Sequence, residues 1–177
     1  MKKIIMFITI LVITLTLSAC SSSNELESIG LDGMNGKEIL TGLANGTVVV
    51  DGYSISVYDD ELVVILEDSR VSVDMPKDEF YLSVAPFINT THECLYHSAT
   101  GCRAELKQEE FLVEFVDLDG NIIVSENMMS LSNGFIDLWL PRDVEGNLTI
   151  TQGELSTSKL ISTESGEPTC ETTMQLT

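Results

Sequence analysis

Basic residues are scarce in this 177-residue chain: nine Lys and Arg stand against 28 Asp and Glu, for a formal net charge of −19. Phosphate neutralisation needs clustered Lys and Arg, so this balance argues against nucleic acid as a partner and favours cations in the surrounding field. There is no Gly-x-Ser-x-Gly elbow for a hydrolytic serine and no Gly-rich phosphate loop. The cysteines form no Cys-x-x-Cys pair, which removes a thioredoxin-like redox motif, and the closely spaced pairs of a zinc knuckle are also missing. Asp117-Leu118-Asp119-Gly120-Asn121 has the wrong glycine position and strand flanks for an EF-hand, and reads as a hairpin turn. Only one long apolar run occurs, at the start.

That run, Ile4 to about Leu17, follows Met1-Lys2-Lys3 and ends in Leu17-Ser18-Ala19-Cys20. A basic start, a short apolar core and small residues describe a secretory signal over 1–19. The run is short of the roughly 20 residues a spanning helix needs. Leu-Ser-Ala-Cys also fits a bacterial lipobox, in which Cys20 is diacylated, and two acyl chains anchor stably where one does not. The expectation is a protein outside the cytoplasm, held to the cell membrane through a lipid anchor only.

Ser-rich, acidic residues then predict a flexible tether over 20–30. Over 31–76 the pattern predicts a small helix plus a β-meander. Asn35 and Glu38 form a capping box, Ile39, Leu40 and Leu43 share a face, and Asn45-Gly46 ends the helix. Three strand-like runs follow, alternating Tyr53–Val57, continuously apolar Leu62–Leu66 and alternating Val71–Val73, and Met75-Pro76-Lys77-Asp78 suggests a boundary. Over 77–177 short strands recur between turns: Phe80–Ile88, Phe111–Val116, Ile122–Val124, Phe135–Leu140, Leu148–Thr151, Leu155–Ser162 and Thr172–Leu176. The fold class is therefore mainly β, an antiparallel sandwich-like C-terminal domain with a smaller α+β N-terminal region.

Chemistry concentrates in one stretch, Thr91 to Cys102. It contains both histidines of the chain, His92 and His97, and two of its four cysteines, Cys94 and Cys102. Cys170 stands far away near the C-terminus. A disulfide between Cys94 and Cys102 would stabilise by about 2–3 kcal/mol in the chain-entropy model, making a stapled surface interaction module with no metal role. Alternatively, thiolates and imidazole from separate parts of the chain form a soft-metal site, which suits Cu(I). An extended Thr91–Cys94 would place His92 and Cys94 on one face, whereas a helical turn after Cys94 would pair it with His97. His97 ranks ahead of His92 as a ligand. Met174 is a thioether beside Cys170 but reads as core. Tyr96, Trp139 and Arg142 read either as surroundings of the site or as core and turn.

His92-Glu93-Cys94-Leu95-Tyr96-His97-Ser98 with Cys102, Asn133 to Asp143, and Pro168 to Leu176 together resemble the CueP family of extracytoplasmic copper-binding proteins. The resemblance runs from about Phe80 to Leu176. It implies a copper-resistance protein in which Cys94, Cys102 and Cys170 carry both metal binding and thiol redox. Its implied roles are holding copper, passing it on, and reducing Cu(II); the missing Cys-x-x-Cys motif argues against a turnover oxidoreductase. It also implies an N-terminal region used for homodimerisation. A thiol-disulfide oxidoreductase outside the cytoplasm would serve as reductant. The lipobox departs from soluble periplasmic members, so buffering or reduction at the membrane surface is the expectation.

Overall fold

A computed structural model describes residues 25–177; the leader, Cys20 and the first part of the expected tether lie outside the described residues. The chain divides into two units, Met1–Met34 and Asn35–Thr177. Within the first, residues 25–28 make one helical turn, closed by Ile29 N–H donating to Leu26 O at 3.3 Å. No helix among the described residues is long and apolar enough to cross a membrane.

The second unit opens with helix α1, Gly36–Asn45. Its ends form as the sequence dictates: Asn35 accepts from Glu38 N–H, the Glu38 side chain accepts from Asn35 N–H, and Gly46 turns left-handed at φ 78°. The meander follows as β1 Ser54–Val57, β2 Glu61–Ile65 and β3 Arg70–Asp74, with alternate residues buried. The remaining strands are β4 Glu79–Val84, β5 His97–Ser98, β6 Glu110–Asp117, β7 Ile122–Met129, β8 Ile136–Pro141, β9 Glu145–Gln152, β10 Leu155–Ser162 and β11 Cys170–Glu171. They form three sheets, ordered β3-β2-β1-β5, β10-β9-β6-β7 and β11-β4-β8.

The mainly β expectation holds, and the sandwich is formed by the last two sheets. Phe80, Leu82 and Val84 of β4 with Ile136, Leu138 and Leu140 of β8 pack against Phe111, Val113, Phe115, Leu148 and Ile150 of the four-stranded sheet. Met174 belongs to this core. Asp117–Asn121 connects β6 to β7 as a hairpin turn, with Asn121 N–H donating to Asp117 Oδ1 at 2.7 Å.

Three details depart from the sequence reading. The C-terminal strand is two residues, Cys170–Glu171, with only a bridge between Phe87 and Gln175 beyond it. It pairs with β4 in parallel, not antiparallel, because the chain re-enters beside β4 after β10 instead of turning back in a hairpin. The meander gains a fourth strand: Ser56 and Val57 of β1 pair with Ser98 and His97 of β5.

This last pairing is completed by a side chain. Ile55 O accepts from Ala99 N–H at 3.0 Å. One step along, the Thr169 hydroxyl donates to Val57 O at 2.6 Å and accepts from His97 N–H at 3.0 Å. It stands where the next ladder bond would run, and Thr169 is fully buried. Thr169→Val keeps the shape but leaves both backbone groups unpaired, and burying an unsatisfied group costs about 1–3 kcal/mol. Urea unfolding of Thr169→Val should therefore show a loss of about 2 kcal/mol or more, with Thr169→Ser close to wild type; equal stability of all three contradicts the bridging role.

Candidate metal centre

Three elements deliver the donor atoms. After the loop that carries His92 and Cys94, β5 pairs with β1 and fixes His97. A tight turn follows, in which Cys102 N–H donates to Ser98 O at 2.9 Å, and it swings the Cys102 sulfur back over β5. Ser98 N–H points at that sulfur at 3.4 Å. Cys170 begins β11, where parallel pairing holds it: Ser83 N–H donates to Thr169 O at 2.9 Å and Ala85 N–H to Glu171 O at 2.7 Å. Cys170 N–H also reaches Leu95 O at 3.3 Å, tying β11 to the cysteine loop.

The result is two overlapping donor sets. Ligand atoms of His97, Cys102 and Cys170 all lie within 4.8 Å of one another, and so do those of His92, Cys94 and Cys102. Cys102 is common to both. Its sulfur is 3.6 Å from Cys94 Sγ, too far for a bonded pair at about 2.05 Å. All three cysteines are free thiols. Cys170 Sγ lies 3.8 Å from His97 Nδ1, and both residues are buried.

Apolar surroundings back the site. Phe135, fully buried, stands edge-on to both imidazoles, with ring centroids 4.7 Å from His97 and 6.1 Å from His92. Ala85 and Ala104 complete this small cluster around the sulfurs. On the outer side a crevice of about 550 Å³, lined by His92, Cys102 and Arg103 among others, opens half-buried Cys102 to solvent.

Electrostatics separates the three thiols. Cys170 is pushed well above the usual thiol range, first by the Cys102 sulfur beside it and then by burial. Cys102 is held far below that range, chiefly by the Cys170 side chain, with His97, Ser98 N–H and His92 adding to the lowering. Cys94 is raised, mainly by burial. Thiolate is the form that ligates and reacts, and metal binding to a cysteine releases its thiol proton.

Tyr96, Trp139 and Arg142 do not line the sulfurs. Tyr96 stacks on Tyr58 at 4.8 Å, Trp139 packs on Tyr81 at 5.1 Å, and Arg142 pairs with Asp59. The residues that shape the site, Thr169, Phe135, Ser83 and Asp137, carry no metal-ligand signal of their own. Phe135 and Asp137 lie inside the Asn133–Asp143 stretch already singled out.

Taken together, these features define the class: a β-sandwich protein with a cysteine–histidine cluster that could hold a metal ion, built from two separated chain segments. A family model for the periplasmic copper-binding protein CueP matches residues 44–175. The chain therefore belongs to the CueP family. Among solved structures, the crystal structure of S.CueP superposes with a TM-score of 0.82 at 34% sequence identity, over 89% of this chain and 98% of that one. No curated protein matches the chain.

One carboxylate holds the approach to the cysteine loop. Glu105 accepts from Ile88, Asn89 and Thr90 N–H at 2.9, 2.9 and 3.2 Å, and from the Asn89 side-chain amide. Those bonds favour the charged form and lower its pKa from 4.5 to about 2. With a depressed folded value, the stabilisation is present above about pH 4.5 and is lost as pH falls toward 2. Glu105→Gln should therefore be less stable than wild type at neutral pH, with the gap closing between those limits. A gap that stays constant in urea melts across that range contradicts the assignment.

Proposed function

We propose that this protein is a membrane-tethered copper store that holds copper as Cu(I) on Cys94, Cys102 and Cys170, with His97 as an additional donor ahead of His92. The observation that carries the reading is the pair of donor sets sharing Cys102, which gathers three free cysteines and a buried imidazole against an apolar back wall. Soft thiolates select Cu(I), and family membership supports copper as the cargo. In the same reading residues 1–19 are a cleaved leader, Cys20 carries the lipid, 20–30 form the tether, and the N-terminal region serves a homodimer contact.

The proximity of Cys94 and Cys102 supports a second role, stoichiometric reduction of Cu(II). Two Cu(II) ions each take one electron from the deprotonated pair, giving two Cu(I) ions, and one S–S bond forms between Cys94 and Cys102. A separation of 3.6 Å requires a small approach of the two sulfurs. A thiol-disulfide oxidoreductase outside the cytoplasm then returns two electrons and restores the thiols. The stapled form is thus the oxidised state of the copper site.

Single Cys94→Ser, Cys102→Ser and Cys170→Ser variants, titrated as reduced protein against a chromophoric Cu(I) chelator, should each lose affinity by about tenfold or more. Cu(II) added to wild type should be reduced with the loss of two thiols, and Cys20→Ala should move the protein from the membrane to the soluble fraction. Unchanged Cu(I) affinity in all three serine variants contradicts the copper reading.

A further inference from the structure

The central strand of the three-stranded sheet lines up a row of polar residues. Ser83 of β4 is in register with Cys170 on β11 and with Asp137 on β8. Residues directly opposite in a sheet project from one face. Here that face meets the His97 ring, while the other face carries Leu82, Val84, Ile136 and Leu138 into the sandwich core. Ser83 is fully buried and His97 nearly so.

The hydrogens in this row can be placed. A carboxylate accepts only, so the single Ser83 hydroxyl hydrogen goes to Asp137 Oδ1 at 2.7 Å. What Ser83 Oγ then presents to His97 Nε2, 3.5 Å away, is a lone pair. In the neutral ring Nε2 therefore carries the hydrogen, and the Nδ1 lone pair faces the Cys170 thiol, which can donate to it from 3.8 Å. The opposite tautomer would set two lone pairs against each other at Ser83.

Packing holds the ring in this orientation. Phe135 lies edge-on at 4.7 Å and Tyr81 tilts against it at 6.1 Å. The backbone N–H is held by the Thr169 hydroxyl.

We propose that Ser83 and Asp137 are positioning residues of the copper centre, fixing His97 as the Nε2–H tautomer so that Nδ1 faces the sulfurs. The hydrogen-bond partner of the distal nitrogen commonly fixes which nitrogen of a histidine can ligate, and removing such partners costs 10–100-fold in metal affinity. The copper part rests on the proposed function above; the tautomer part is read on metal-free protein.

The test is long-range proton–nitrogen NMR of the two imidazoles in reduced, metal-free protein at a pH where they are neutral. His92→Ala leaves His97 as the only histidine and assigns its signals. Wild type should show Nε2–H with a bare Nδ1, and Asp137→Asn should keep it, because the amide oxygen still accepts from Ser83. Asp137→Ala frees the Ser83 hydrogen to turn toward Nε2, so the bare-nitrogen signal should move from Nδ1 to Nε2, and Cu(I) affinity should fall about tenfold. Ser83→Ala removes the acceptor, should average the tautomers, and carries the test alone if Asp137→Ala does not fold. A wild-type Nδ1–H ring, or a ring that stays Nε2–H in Ser83→Ala and in any folded Asp137→Ala, overturns the inference. A changed tautomer with unchanged Cu(I) affinity overturns the positioning role at the metal. Unchanged affinity in the cysteine variants would instead defeat the copper reading and leave the tautomer assignment standing.

Discussion

The buried Thr169 hydroxyl is the contact on which the geometry of this centre depends. It spans Val57 on one sheet and the His97 backbone on the strand beside it, partners 112 and 72 positions away along the chain. Its own backbone belongs to the segment that pairs with β4, one residue before Cys170. A single side chain thus fixes the depth of His97 relative to Cys170. Cys102 is then placed by the short turn after β5, and Cys94 by the loop before it. Each sulfur is held by backbone that other elements already constrain, as preorganised metal sites require.

Strand β4 serves two purposes through simple alternation. Phe80, Leu82 and Val84 give one face to the sandwich core, and Tyr81 and Ser83 give the other to the centre. Both faces are buried, although Tyr81 and Ser83 alternate with the apolar residues as in a half-exposed strand. A centre built on such a strand inherits its rigidity from the core. The half-buried Cys94 and Cys102 lie on the solvent side and the buried Cys170 and His97 on the inner side. That arrangement suits a metal that enters past exchangeable thiols and is retained by a fixed pair.

Local chemistry made part of this legible. The capping box at Asn35 and Glu38, the alternation in the meander and the Asp117–Asn121 turn each follow from neighbouring residues, and all three form as read. The parallel docking of β11 was not legible, because nothing near Cys170 specifies which strand it joins. For the same reason β5 was missed: two residues carry no period, and the strand exists only because β1 and Thr169 complete it. The two histidines were weighed as alternatives set by the local backbone shape around Cys94. Folding resolves this differently, since both imidazoles come within ligand range of Cys102. Ser83 carries no signal, and Asp137 falls inside the Asn133–Asp143 stretch without a role of its own, as a serine and an aspartate in alternating strands usually mark a solvent face.

The central claim is that three sulfurs from two distant segments act as one copper site. X-ray absorption on the Cu(I)-loaded protein tests it most directly, comparing wild type with Cys170→Ser. The account predicts a first shell dominated by sulfur in wild type, with one sulfur fewer in Cys170→Ser. An identical copper environment in the two proteins would contradict it and place the metal elsewhere.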